Sequence, residues 1–93
     1  MNSDAHREAV KRVVSDSSSQ LIDLSHRIHA NPELGYEERL ASAWLADALE
    51  SAGFAVERGV AGMETAVHGQ VGSGPLHIAI CAEYDALPEV GHA

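Results

Sequence analysis

Aromatic residues are almost missing from this chain: one Phe, one Trp and two Tyr among 93 residues. Aliphatic side chains and alanine must do most of the packing, in a core that so short a chain keeps modest. A single cysteine, Cys81, excludes an internal disulfide, and with it the small secreted scaffolds that depend on disulfides; it favours a reducing compartment. No apolar run approaches the roughly 18 residues of a membrane span. The opening Met1-Asn2-Ser3-Asp4 lacks the apolar stretch of a signal peptide, so a cytoplasmic setting is expected. Bases are scarce after residue 30. Arg39 and Arg58 stand against ten acids in residues 31–93, whereas residues 1–30 balance four acids with four bases. The whole formal charge of -8 therefore sits in residues 31–93. That excludes nucleic acid, whose phosphates need Lys and Arg, and an anionic membrane surface. It suits a site that gathers cations, or, more plainly, a solvated acidic surface.

What is present reads as one small α/β domain. Val10, Val14, Ser17, Leu21, Leu24 and Ile28 step by four and three, a helical stripe on one face. Ser15-Asp16-Ser17-Ser18-Ser19 interrupts it with residues that prefer caps and turns. Either one helix runs from about 4 to 30, or two meet near the serines; the unbroken period favours one. Asn31-Pro32 ends it, and Glu33-Leu34-Gly35-Tyr36 makes a turn. A further helix is expected over about 37–52, with Leu40, Trp44, Leu45, Ala48, Leu49 and Ala52 inward, acids at its start and Gly53 at its end. Strands are expected at 54–57, 65–71 and 76–82. Gly72-Ser73-Gly74-Pro75 would join the last two in a hairpin. The order is α-α-β-β-β, with both helices free to pack on one sheet face.

The last expected strand carries the chemistry. Ile78-Ala79-Ile80-Cys81-Ala82 runs into Glu83-Tyr84-Asp85-Ala86-Leu87-Pro88, and carboxylates at the C-terminal end of a buried strand face the ligand crevice of α/β enzymes. Glu83 and Asp85, two apart, share one side of an extended chain. Such a pair can bind a divalent metal, orient a metal-bound histidine or share a proton. A bare acid-x-acid pair is more often a solvated turn. Here the apolar run before it, the Asp-Ala-Leu-Pro turn after it and His92 close behind raise the functional reading. His26 and His29, at i and i+3, fit a helix end or its neighbouring loops better than a metal. His68 and His77 read as solvated, and Cys81 as a small core residue.

Two segments together resemble one family. His26-Arg27-Ile28-His29-Ala30-Asn31-Pro32-Glu33-Leu34-Gly35-Tyr36-Glu37-Glu38 is similar to the R-x-x-H-x-x-P-E-L-G-x-x-E opening of the amidohydrolase branch of the aminoacylase/carboxypeptidase metallopeptidases. Glu83-Tyr84-Asp85-Ala86-Leu87-Pro88 resembles that branch's D-M-D-A-L-P box, in the variant of the aminobenzoyl-glutamate hydrolases and related dipeptidases. The resemblance implies an N-terminal fragment, α-α-β-β-β, of a di-metal aminopeptidase-like catalytic domain with helices on a mixed sheet. Residues 1–18 would be a helical extension and 19–93 the start of the domain. The rest of that domain, and a later domain for dimerisation and closure, would be absent. It implies two divalent ions, zinc or manganese, and metal-activated water attacking an amide carbonyl with a carboxylate as base.

By the same resemblance, Asp85 matches the supporting aspartate beside the metals. Glu83 matches a position that is a histidine ligand in other branches. His92 and Ala93 match the start of H-A-C-G-H, so the ligands that touch the metal lie past Ala93. The implied substrate is an N-acyl or aminobenzoyl amino acid or a dipeptide, and the full-length protein would be a homodimer. The fragment alone would bind metal weakly and hydrolyse nothing measurable. The alternative is a non-catalytic remnant, a folding or protein-interaction unit with an uncovered apolar face. A Cys-Gly-His continuation after Ala93 would favour the first, and a stop codon the second.

Overall fold

The computed structural model describes residues 3–88, and these form an α/β fragment of three helices and a two-stranded antiparallel sheet. Helix α1 spans Ser3–Asp16 and α2 spans Ser18–Ala30. The serine run thus divides what its period favoured as one helix. The break is slight, because the Ser17 amide still donates to Val13 at 3.0 Å and the Leu21 amide to Ser17 at 2.9 Å. Serines supply little helix propensity to carry the turn through. Of the expected stripe only Leu24 is buried; Val10 and Val14 are exposed, since among the described residues α1 packs to any extent only on α2, and Leu21 on α2 is exposed as well. At the far end Asn31 closes α2 by donating its side-chain amide to the Arg27 carbonyl at 2.9 Å, and Pro32 stops it.

Helix α3, Arg39–Ser51, is the centre of the packing. It takes α2 on one side and both strands on the other. Its most buried residues are Ala41 and Ala46, whereas Leu40 is exposed and Trp44, Leu45, Ala48 and Leu49 are half-buried. A single inward stripe was expected. A helix enclosed from two directions instead needs small residues where neighbours come close. The Arg27 guanidinium lies over the Trp44 ring, 5.0 Å from its centroid, and links α2 to α3. Gly53, with φ 94°, ends α3 as expected. The Phe54 amide reaches Leu49 and the Gly53 amide reaches Glu50, both at 3.0 Å, the paired bonds of a Schellman stop.

Strand β1, Ala55–Arg58, pairs antiparallel with β2, Val67–Gln70, Val56 lying opposite Gly69 and Glu57 opposite His68. Arg58 reaches back to Asp47, at 2.8 Å, and to Glu50 on α3; these two carboxylates raise its pKa. His68 faces outward, as its alternation implied. Gly69 leaves room for α3: a Cβ there would meet Leu49 Cδ1 at 3.1 Å and Phe54 Cδ2 at 3.5 Å. Gly69→Val is therefore expected to destabilise the fold by about 1–3 kcal/mol through overpacking. Urea unfolding followed by Trp44 fluorescence would show it, and an unchanged midpoint would refute the tight contact.

The expected third strand is not formed. Residues 76–82 have no regular structure, Ile78 and Ile80 are 83% and 91% exposed, and Cys81 is exposed rather than in a core. The hairpin pairs β1 with β2, not β2 with 76–82. An apolar strand holds its shape only when neighbours satisfy its backbone and cover its faces, and among the described residues nothing does so here. Among the described residues parallel pairing, the other half of a mixed sheet, is confined to one isolated bridge, Leu34 to Ala86.

Candidate functional site

That bridge brings the two motif segments together. The Ala86 amide donates to the Glu33 carbonyl at 2.6 Å, which lays the Tyr84-Asp85-Ala86 tip against the turn after Pro32. The turn is shaped by Tyr36 in the left-handed region, φ 68°, and closed by the Glu37 amide donating to Leu34 at 2.9 Å. Gly35 faces the tip, where a Cβ would sit 3.8 Å from Asp85 Oδ2.

Beneath this junction lies a group of polar contacts. The Glu33 carboxylate accepts from the first amides of α3: Leu40 at 3.0 Å and Ala41 at 2.9 Å. It thus satisfies two donors that a helix start leaves open, and it sets a negative charge at the positive end of the helix dipole. Glu38, in the N-cap position, makes no side-chain cap. Its buried carboxylate instead accepts from Thr65 Oγ1 at 3.1 Å. The Tyr84 hydroxyl donates to the Thr65 carbonyl. Burial, then the charges of Glu38 and Glu33, raise the Tyr84 pKa. The hydroxyl thus remains a donor through the neutral range. Its contribution is present below tyrosine's ordinary value and is lost as pH rises through the raised one.

Ile28, His29, Pro32, Tyr84, Asp85 and Ala86 line a small open cleft of about 100 Å³ beside the tip. His29, at the end of α2, is one of the residues lining this cleft. Asp85 is exposed at the cleft, and Glu83 is exposed as well. The strand expected to turn both to one side is not formed. His92 lies outside the described residues. Among the described residues no three His, Cys, Asp or Glu side chains are grouped so as to hold a metal ion.

No family model matches the chain. Known proteins do. Thermostable carboxypeptidase 2 of Saccharolobus solfataricus is 40% identical over 83 residues, covering 87% of this chain and 21% of that protein. One of the subunits of the p-aminobenzoyl-glutamate hydrolase of Escherichia coli is 43% identical over 65 residues, 70% of this chain and 14% of that protein. This chain belongs to the carboxypeptidase and amidohydrolase family. A plant member, IAA-amino acid hydrolase ILR1-like 2 of Arabidopsis thaliana, is 41% identical over 69 residues, 73% of this chain and 15% of that protein. The chain therefore spans about a fifth or less of the length of these curated relatives.

Reading the residues alone missed Glu33 as a helix cap, the Glu38–Thr65 pair and the Tyr84 hydroxyl contact. Glu33 precedes the amides it serves by seven and eight positions, outside the three-residue spacing of a capping box. No local signal marks the other two, because each joins residues distant in sequence. No helix among the described residues is long and apolar enough to cross a membrane.

Proposed function

We propose that the chain is part of a cytoplasmic hydrolase of amide bonds in N-acyl or aminobenzoyl amino acids or dipeptides. The observation that carries this reading is the meeting of the Glu33 turn and the Asp85 tip, since both belong to motifs of that family. Substrate class follows the names of the relatives, one acting on p-aminobenzoyl-glutamate and one on an IAA-amino acid. Two divalent ions, zinc or manganese, and a homodimer of the full-length protein complete the proposal. The described residues do not themselves make up a metal-holding set, so no step is assigned to a metal. What these residues do is hold a carboxylate, Asp85, at the rim of a cleft, with the adjoining Ala86 amide bonded to the Glu33 carbonyl of the turn. From there it can accept a hydrogen bond from a neighbouring N–H and keep that group in one orientation.

The test is amide hydrolysis by the full-length protein against p-aminobenzoyl-glutamate, N-acetyl amino acids and dipeptides. The expected result is turnover of at least one class, lost with a chelator and restored by zinc or manganese. No hydrolysis of any class under metal-replete conditions would overturn the reading. The 93-residue chain alone is expected to hydrolyse none of them. One observation favours a second reading, a non-catalytic interaction unit: the exposed Leu76, Ile78 and Ile80. That reading requires the chain to capture a partner strand while the full-length protein remains inactive.

A further inference from the structure

The Asp85 tip is held in an unusual way for a segment with no sheet beneath it. Residues 76–83 have no regular structure, yet anchors stand on both sides of Asp85. On one side the Tyr84 hydroxyl donates to the Thr65 carbonyl. On the other the Ala86 amide donates to the Glu33 carbonyl. Thr65 is itself fixed, buried, with its own hydroxyl donating to the buried Glu38 carboxylate at the start of α3. Glu33 is fixed too, because its carboxylate grips the same helix start. Both anchors therefore lead to one place in the fold, the start of α3.

We propose that Glu38, Thr65 and Tyr84 are positioning residues that set the place of Asp85 by tying it to the start of α3. This deepens the amide-hydrolase reading, and it rests on that reading only for the catalytic consequence. Three features distinguish the arrangement from ordinary packing. The chain of contacts is continuous from helix to tip. Each link can be cut singly: Tyr84→Phe removes the hydroxyl and keeps the ring, and Thr65→Val removes the donor to Glu38 and keeps the volume. Thr65→Ser keeps the hydroxyl and restores the link. Glu38 could not be replaced by an apolar side chain without leaving the Thr65 hydroxyl buried and unpaired.

The experiment reads amide hydrogen exchange in the 93-residue chain, with Ala86 as the probe of the tip and Ala46 as the probe of the core. Tyr84→Phe is expected to speed Ala86 exchange roughly tenfold, the loss of about one hydrogen bond, with Ala46 unchanged. Thr65→Val should do so to a smaller extent, and Thr65→Ser should not. Unchanged Ala86 exchange in Tyr84→Phe overturns the proposal. So does a rise in Ala46 exchange by the same factor, which would make Tyr84 a general support of the fold. Equal effects of Thr65→Ser and Thr65→Val overturn the part assigned to Glu38. In the full-length protein the same Tyr84→Phe should lower kcat with KM unchanged. If the wild-type protein hydrolyses no amide, the functional reading fails while the exchange data still decide the anchor.

Discussion

Asp85→Ala in the full-length protein is expected to lower amide-hydrolysis turnover by roughly 10–100-fold, the usual loss when a carboxylate that orients a working group is removed. The melting temperature should stay where it is. Asp85 is exposed, and its neighbours Tyr84 and Ala86 carry the anchoring bonds, so deleting its carboxylate removes none of the contacts that pin the tip. Glu83→Ala should impair turnover less, since Glu83 is exposed with no strand to aim it. His77→Ala, at the start of the same segment, should be nearly silent. Rates at saturating metal beside thermal melts for the three variants decide the matter. Wild-type turnover in Asp85→Ala, or a loss only in step with unfolding, would make Asp85 a structural turn residue.

A clear loss of stability is also expected at Glu33. Its carboxylate is the acceptor for the Leu40 and Ala41 amides. Glu33→Ala leaves both donors at the start of α3 open and removes a charge from the positive end of the helix. Loss of a cap typically costs about 0.5–2 kcal/mol, and a carboxylate serving two amides belongs at the upper end of that range. The Ala86 bond to the Glu33 carbonyl is a main-chain bond and survives in principle, so stability falls before the tip is released. Denaturant unfolding of Glu33→Ala and Glu33→Gln would measure this, and the Gln variant should recover part of the loss. A change below the error of the unfolding midpoint in both variants would show that water replaces the cap without cost.

The parts of this fold legible in the sequence are those that local chemistry decides. Pro32 and Gly53 mark the ends of α2 and α3 because one removes a donor and the other takes a left-handed turn, whatever the rest of the chain does. The alternation of Val67 and His68 likewise belongs to β2 alone. The reading went astray where a residue's state depends on distant neighbours. Ile78, Ile80 and Cys81 have the pattern of a buried strand, but burial needs elements to bury against. Val10 and Val14 share a face with Leu24, yet only Leu24 is buried. The expected site was half visible. Asp85 stood out by its setting and by its resemblance to a known box. Glu33 looked like part of a turn, and Glu38 looked like a charge for the helix dipole. Their partners, the Leu40 and Ala41 amides and Thr65, are set by the way the chain returns on itself.

Leu76-His77-Ile78-Ala79-Ile80-Cys81 lies open, carries no fixed charge and contains no proline. A stretch of that kind is the raw material of cross-β stacking, because its free backbone and alternating aliphatic side chains fit a copy of themselves. Raising the concentration of the chain is therefore expected to favour its self-association. Its acidic remainder slows that association through mutual repulsion, and added salt, by screening the repulsion, speeds it.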